Sequence, residues 1–420
     1  MKVNYNQYDV AVIGGGSAGL AAALKAHENG SSVVIFERDE KLGGILNQCI
    51  HNGFGLKYFK EELTGPEYAN KFVDLVKKQH ISVQLNTAVL EIRNGFEIDT
   101  ISPKGAKTYQ VKSVVLAMGC RERGAGAITL AGTRPAGVIT AGCAQKLINI
   151  YGKMIGKKVV IVGSGDIGLI MARRLRHEGA TVVGVWEIMK HPSGLKRNIA
   201  QCLDDFNIPL HLAQTVVEVV GKDRVEGVYV APVNDDFSYD LEHKQFVECD
   251  TVLLSVGLTP ENDLLKNMGI KIDNVTNGAE VDENLQTSVK GIFSCGNVLH
   301  VHDIVDNVTM EAELAGTNAS KFAQGKLEDN CKVEVKNGNG VRYVMPKHIS
   351  KGKGIFNVSF RSAKIFENCD IVVRSCGKEI LRKNRRIILP AEMETIIVDR
   401  SRVLGVVEVC IEESLQGGNV

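Results

Sequence analysis

YDVAVIGGGSAGLAAALKAHENGSSVVIFE, residues 8–37, is the stretch whose reading decides the fold. Residues 8–13 form a short apolar run, the pattern of a buried parallel strand. Gly14, Gly16 and Gly19 follow as GxGxxG, and then an alanine-rich helix that Gly30 should stop. Residues 31–37 read as a second strand ending on Glu37, 23 residues after Gly14. Each part has a mechanical reason. Gly14 makes the tight turn, Gly16 lets backbone approach a pyrophosphate, and Gly19 lets helix and strand pack closely. Ser17 and Ala18 open the helix, whose unpaired N–H groups face phosphate. Glu37 can accept from a ribose hydroxyl, with Arg38 beside it.

The same grammar returns at KKVVIVGSGDIGLIMARRLRHEGATVVGVWE, residues 157–187. The strand is read at 159–162, the glycines are Gly163, Gly165 and Gly168, and Asp166 and Ile167 start the helix. The candidate ribose acid is Glu187. One spacing departs. Glu37 lies seven residues after Gly30, whereas Glu187 lies eight after Gly179, and Trp186 takes the equivalent place. Either the strand holds an extra residue or Glu187 is not the ribose ligand. With no arginine close behind, NAD is preferred to NADP, and NADP(H) stays open.

Two such units roughly 150 residues apart resemble the two-domain flavoproteins of the pyridine nucleotide–disulfide oxidoreductase superfamily. The resemblance implies that the first unit binds FAD and the inserted second binds NAD(P)H. Residues 114–119, VVLAMG, resemble a crossover segment ending on Gly119, with Met118 where Thr is usual. Residues 250–260 look like the return crossover. Residues 291–297, GIFSCGN, resemble the late FAD segment, Gly296 and Asn297 standing where Gly-Asp holds the ribityl chain. Gly43 and Gly44 match a Gly-Gly turn beside the flavin. More narrowly, GGILNQCIHNGFG and LTGPEY are similar to bacterial NADH oxidase-like NAD(P)/FAD-dependent oxidoreductases associated with glycerol-3-phosphate dehydrogenase-like flavoproteins. That association implies a partner flavoprotein subunit.

Disulfide reductases carry two cysteines after the Gly-Gly turn, and here only Cys49 is present. The usual dithiol relay is therefore missing. Cys49 is either a single redox thiol or a packing residue. His51 is a candidate proton donor or holder. In VLHVHDIVD, residues 298–306, His300, His302 and Asp303 invite a metal reading. No third ligand cluster is evident, so no metal is expected. The loop leads instead into a helix whose start, near Thr309 and Met310, should direct N–H groups at the flavin pyrimidine.

Composition bounds the rest. Of 420 residues, 50 are Lys or Arg and 49 Asp or Glu, so net charge offers no pull toward nucleic acid or acidic membranes. Glycine reaches 43, an excess that suits backbone approaching ligands. One Trp and 5% aromatics argue against base-stacking platforms. The ten cysteines include no CxxC, and neither a signal peptide nor an 18-residue apolar run is seen. A cytoplasmic protein is expected. From 331 onward, alternating strands read as a small antiparallel β domain, a sandwich, with 16 Lys/Arg against 10 Asp/Glu. Its basic run, 374–386, is either a solvated hairpin or a docking face for an acidic partner.

The expected fold is α/β. An FAD-binding Rossmann-like domain covers 1–125 and 255–330, an inserted NAD(P)-binding Rossmann-like domain covers 126–254, and an all-β sandwich-like domain covers 331–420. The resemblance implies an FAD-dependent NAD(P)H:acceptor oxidoreductase. Hydride would pass from NADH to flavin N5, and electrons then to a small-molecule or protein acceptor. One alternative is the electron-transfer subunit of a heteromeric dehydrogenase of glycerol-3-phosphate, opine or hydroxyproline type. The other is a non-catalytic flavin- or NAD-sensing scaffold.

Overall fold

The computed structural model describes residues 6–328 and 330–414, so the outermost ends of the first and last expected domains lie outside the described residues. The chain forms two compact units, Met1–Cys120 with Pro260–Val420, and Arg121–Thr259.

In the first unit, Val10–Ile13 is buried at all four positions because both faces of its sheet are covered. It lies at the centre of five parallel strands, in the order Ile292–Ser294, Ser113–Leu116, Val10–Ile13, Val33–Phe36 and Ser82–Gln84. Helix Ser17–Glu28 starts directly after Gly16 and buries mostly alanines. Those small side chains let helix Val305–Ala323 lie close against it. A Cβ on Gly316 would stand 2.1 Å from Ala22 O, so this crossing tolerates only glycine. The hydroxyls of Ser31 and Ser320 meet at 2.7 Å beside it.

The second unit repeats the plan. Its parallel sheet runs Val138–Thr140, Thr251–Leu254, Lys158–Val162, Thr181–Glu187 and Leu210–Leu212. Helix Asp166–His177 follows Gly165 as its N-cap. The spacing departure has a local cause. Val159 pairs with Val182 and Val160 with Gly184, so Val183 is an extra residue accommodated as a bulge. Beyond it Val162 pairs with Trp186, as Ile13 pairs with Phe36 in the first unit. Glu187 therefore occupies the strand-end position that Glu37 occupies there.

Beyond residue 330 the strands alternate buried and exposed residues, as in Ile355–Ser362, where Phe356, Val358, Phe360 and Ser362 face inward. Five strands, His348–Ser350, Cys331–Asn337, Val407–Glu413, Phe366–Ser375 and Lys378–Ile388, form one sheet. Val341–Met345, Ile355–Ser362 and Glu394–Asp399 form another. One pair, between Cys331–Asn337 and Val407–Glu413, is parallel, where an antiparallel arrangement was expected. This region belongs to the first compact unit. Lys347 pairs with Asp273 at 2.6 Å, Arg400 with Glu283 at 2.5 Å, and Arg361 with Asp303, all largely buried. Among the described residues, no helix is long and apolar enough to cross a membrane.

Candidate functional site

The turn after Val10–Ile13 is shaped by what a side chain would hit. A Cβ on Gly14 would lie 2.4 Å from Ala117 O, and one on Gly19 would lie 1.8 Å from Gly14 O. Both must be glycine for the strand, turn and helix to close. Gly16 differs. A Cβ there would meet only Gly44 Cα, at 3.9 Å, so the space on that side of Gly16 is open, although a Cβ on Gly44 would stand 3.0 Å from Gly16 Cα. Gly43 donates to Gly15 O at 2.8 Å and holds the second turn in place. Glu37 is buried and accepts the Gly15 N–H at 2.7 Å and the Asp39 N–H at 2.8 Å, one on each oxygen. Arg38 is exposed beside it. Gly119 has φ +73° with nothing within 4 Å of its Cβ direction. This open, glycine-walled cradle beside helix Ser17–Glu28, with a fixed acid at its edge, fits a dinucleotide such as FAD.

The second unit has the same construction. A Cβ on Gly163 would lie 2.3 Å from Ser255 O, and one on Gly168 2.5 Å from Ser255 Cβ. Glu187 accepts the Ser164 N–H at 2.9 Å and the Met189 N–H at 3.0 Å, matching Glu37 bond for bond. The hydroxyls of Ser164 and Ser193 also donate to it, at 2.5 and 3.0 Å. Asp166 accepts from Leu195 N at 2.8 Å and Asn198 Nδ2 at 2.6 Å, so its carboxylate ties the 193–198 segment over the turn. Gly165 and Ile167 complete the helix start. These residues also fit a dinucleotide.

Cys49 caps the short helical turn Gly44–Gln48, and its thiol donates to Ile45 O at 3.3 Å. Burial pushes the thiol up to about 12. Gly65, at the start of helix Gly65–Lys78, presses on it. A Cβ there would stand 2.8 Å from Cys49 Cβ. His51 places Nδ1 3.0 Å from Asn52 O and its ring 4.9 Å from Phe54. The loop that follows is fastened by a residue the sequence reading passed over. Buried Asp306 accepts the Gly55 N–H at 3.2 Å and the Tyr58 N–H at 2.7 Å. Tyr58 OH in turn donates to Glu313 at 2.5 Å.

The expected helix start near Thr309 and Met310 is corrected. Helix Val305–Ala323 begins four residues before Thr309, so the N–H groups of Thr309 and Met310 lie in its second turn. Thr309 instead pairs its hydroxyl with Tyr68 OH at 2.7 Å. The expectation of no third ligand beside the histidines is also corrected. His300 Nε2 and His302 Nε2 stand 2.9 and 3.3 Å from one oxygen of Glu311. Glu311 lies on the helix, nine residues beyond His302, and no local spacing announces it. Its other oxygen accepts the Gly296 N–H at 2.7 Å. Burial pushes the Glu311 carboxyl up, but the two imidazoles outweigh it and hold it far below the usual carboxylate range. Burial lowers His300. Asn297 accepts the His302 N–H at 3.1 Å on its side-chain oxygen.

Three of the six basic residues of the 374–386 run are paired, two within their own sheet and Arg385 with a residue of the facing sheet. Arg374 pairs with Glu412, Arg382 with Glu379, Asp370 and Glu412, and Arg385 with Glu394.

Comparison with known proteins agrees with this geometry. Residues 8–319 match the family described as pyridine nucleotide-disulphide oxidoreductase. The NAD(P)H sulfur oxidoreductase (CoA-dependent) of Pyrococcus abyssi is 28% identical over 319 residues, 73% of this chain and 66% of that protein. Hydrogen cyanide synthase subunit HcnB of Pseudomonas protegens is 27% identical over 282 residues, 62% of this chain and 58% of that protein. The chain thus spans less than two thirds of these curated relatives. The crystal structure of T. acidophilum thioredoxin reductase aligns with a TM-score of 0.62 at 25% identity, covering 76% of this chain and 99% of that one.

Proposed function

The chain belongs to the pyridine nucleotide-disulphide oxidoreductase family, and from that premise we propose that it is an FAD-dependent NAD(P)H:acceptor oxidoreductase. The observation that carries this reading is the duplicated cradle, in which Glu37 and Glu187 hold corresponding backbone N–H groups of two glycine turns. FAD, when bound, supplies the two-electron chemistry that links a nicotinamide to a second acceptor. The chain's own residues bind and orient. Residues 14–19 with Gly43 and Gly44 would take the FAD pyrophosphate, and Glu37 its ribose. Gly296 and Asn297 would take the ribityl chain. Residues 163–168 and Glu187 would take NAD(P)H. The Glu187 carboxylate repels a 2′-phosphate, which favours NADH.

Within this reading, residues 1–125 and 255–330 bind FAD, 126–254 bind NAD(P)H, and 331–420 form the closing β region. The cytoplasmic placement stays with it, since buried Cys202, Cys249, Cys295, Cys369 and Cys410 carry no disulfide. Cys49 takes the role of a packing residue, because its raised pKa withholds the thiolate that thiol redox chemistry needs.

A second reading makes this chain the electron-transfer subunit of a heteromeric dehydrogenase. The similarity to a protein named as a synthase subunit supports it. The glycerol-3-phosphate type of partner belongs to this reading.

Anaerobic rapid mixing of the yellow protein with NADH, and separately NADPH, tests the first reading. The flavin band at roughly 450 nm should bleach quickly with NADH and more slowly with NADPH. No bleaching with either would overturn it and bring the subunit reading forward. Recovery of a second chain in stoichiometric amount on purification from the native host would favour that second reading.

A further inference from the structure

We propose that His300, His302 and Glu311 form a binding site for one divalent transition-metal ion. Two histidines separated by one residue on extended chain point to opposite sides. Here the 300–304 segment bends so that both Nε2 atoms converge on one carboxylate oxygen, and the donor atoms lie within 4.8 Å of one another. The His300 and His302 side chains are 1% and 2% exposed and that of Glu311 16%. These donors are buried together, in contrast to a solvated charge cluster.

Two of the three donors, Glu311 and His300, are also held from behind, as metal ligands are. Glu311 is fixed through its second oxygen by the Gly296 N–H. His300 Nδ1 faces Tyr343 OH at 3.4 Å, and that hydroxyl accepts from Arg361 Nε at 3.2 Å. His302 Nδ1 is buried with no hydrogen-bond partner, which leaves the contact at Glu311 to orient that ring. Asp303 does not enter the cluster. It is engaged by Arg361 and by the Met393 N–H.

The donor set selects the ion class. Two imidazoles and a carboxylate suit Zn²⁺ or Fe²⁺, whereas Mg²⁺ and Ca²⁺ prefer all-oxygen sites. With ligand bonds of about 2.0–2.1 Å, tetrahedral donors stand about 3.3 Å apart. The two N···O distances of 2.9 and 3.3 Å are close to that spacing. One carboxylate charge partly offsets a divalent ion. The bound ion would clip the 300–304 segment to helix Val305–Ala323, next to the Gly296 turn. This assignment stands on its own whether or not the proposed function holds.

The test is metal content of the whole chain as purified. The protein is stripped with EDTA, equilibrated with Zn²⁺ alone and then desalted. A parallel anaerobic sample receives Fe²⁺. Wild type should retain about one ion per chain, and His302→Ala and Glu311→Gln should each retain less than about a tenth of that while keeping wild-type circular dichroism. Failure of wild type to retain either ion, or retention by both variants at the wild-type level, would overturn the site. X-ray absorption of the loaded wild type decides the matter if the variants do not fold. Imidazole and oxygen scattering around the ion is expected, and sulfur or oxygen alone would overturn the assignment.

Discussion

The carboxylate of Glu187 accepts the backbone N–H of Ser164 at 2.9 Å, although the chain between them carries one residue more than the corresponding stretch of the first unit. The bulge at Val183 absorbs that residue and restores the acid to the strand end. Glu187→Ala would leave the N–H groups of Ser164 and Met189 and two serine hydroxyls without their acceptor. Unpaired buried donors cost about 1–3 kcal/mol each at most, and part of this is recovered by water. The variant should bind NADH at least about tenfold more weakly, equivalent to about 1.4 kcal/mol, while its flavin content stays at the wild-type level. Calorimetric titration and flavin absorbance check the two halves. Unchanged NADH affinity would remove Glu187 from the nucleotide site.

Gly16→Ala and Gly19→Ala are the same chemical change with different expected outcomes. A methyl at Gly16 enters the open cradle, with only Gly44 Cα at 3.9 Å. Folding stability should change by no more than about 0.5 kcal/mol, and FAD affinity should fall. A methyl at Gly19 would lie 1.8 Å from Gly14 O and force helix from strand. That variant should lose several kcal/mol, on the order of other overpacked cores. Urea unfolding of the apoproteins and fluorimetric FAD titration separate the cases.

Cys49 should behave as an inert thiol. With its pKa pushed up to about 12 by burial, the thiolate is scarce at neutral pH. Iodoacetamide should label Cys143 and Cys376, both exposed, well before Cys49. Peptide mapping at intervals gives the order directly. Cys49→Ser should leave NADH-dependent dye reduction within about twofold of wild type. Loss of turnover in that variant would restore the redox-thiol role.

The pair of Lys347 and Asp273 gives a pH dependence with a definite sign. Burial raises the Asp273 carboxyl, but Lys347 and the N–H groups of Thr276 and Val275 outweigh it, and the net shift is downward. A depressed carboxyl contributes stability above its unfolded pKa of about 3.9 and loses it as pH falls through the folded value. Lys347→Met should therefore lower Tm at neutral pH by on the order of 3 °C. The gap from wild type should narrow progressively below about pH 4. A gap that is constant with pH would show that the ion pair is not its source.

Much of this protein was readable locally. Both glycine turns, their strands and helices, and the acid Glu37 follow from spacing, because a dinucleotide turn is built within about 30 consecutive residues, whereas the spacing left Glu187 open. The alternation beyond residue 330 announced a β region, because strand period is a local property. The charge of the 374–386 run was readable too. The pairing of Arg374, Arg382 and Arg385 was not, because Glu412 comes from a neighbouring strand and Glu394 from the other sheet.

By itself, the sequence determined the two glycine turns with their strands and helices, since every residue needed lies within one strand–turn–helix–strand segment. Only the tertiary structure decided that Glu187 regains register through a bulge, and that Asp306 pins the loop after Cys49 from 248 residues away. It also decided that Glu311 joins His300 and His302, and that Arg361 bonds the Tyr343 hydroxyl behind His300. These contacts join segments whose separation along the chain is arbitrary. Packing of buried helices and sheets sets them, and hydrophobic burial carries no pairwise address in the sequence.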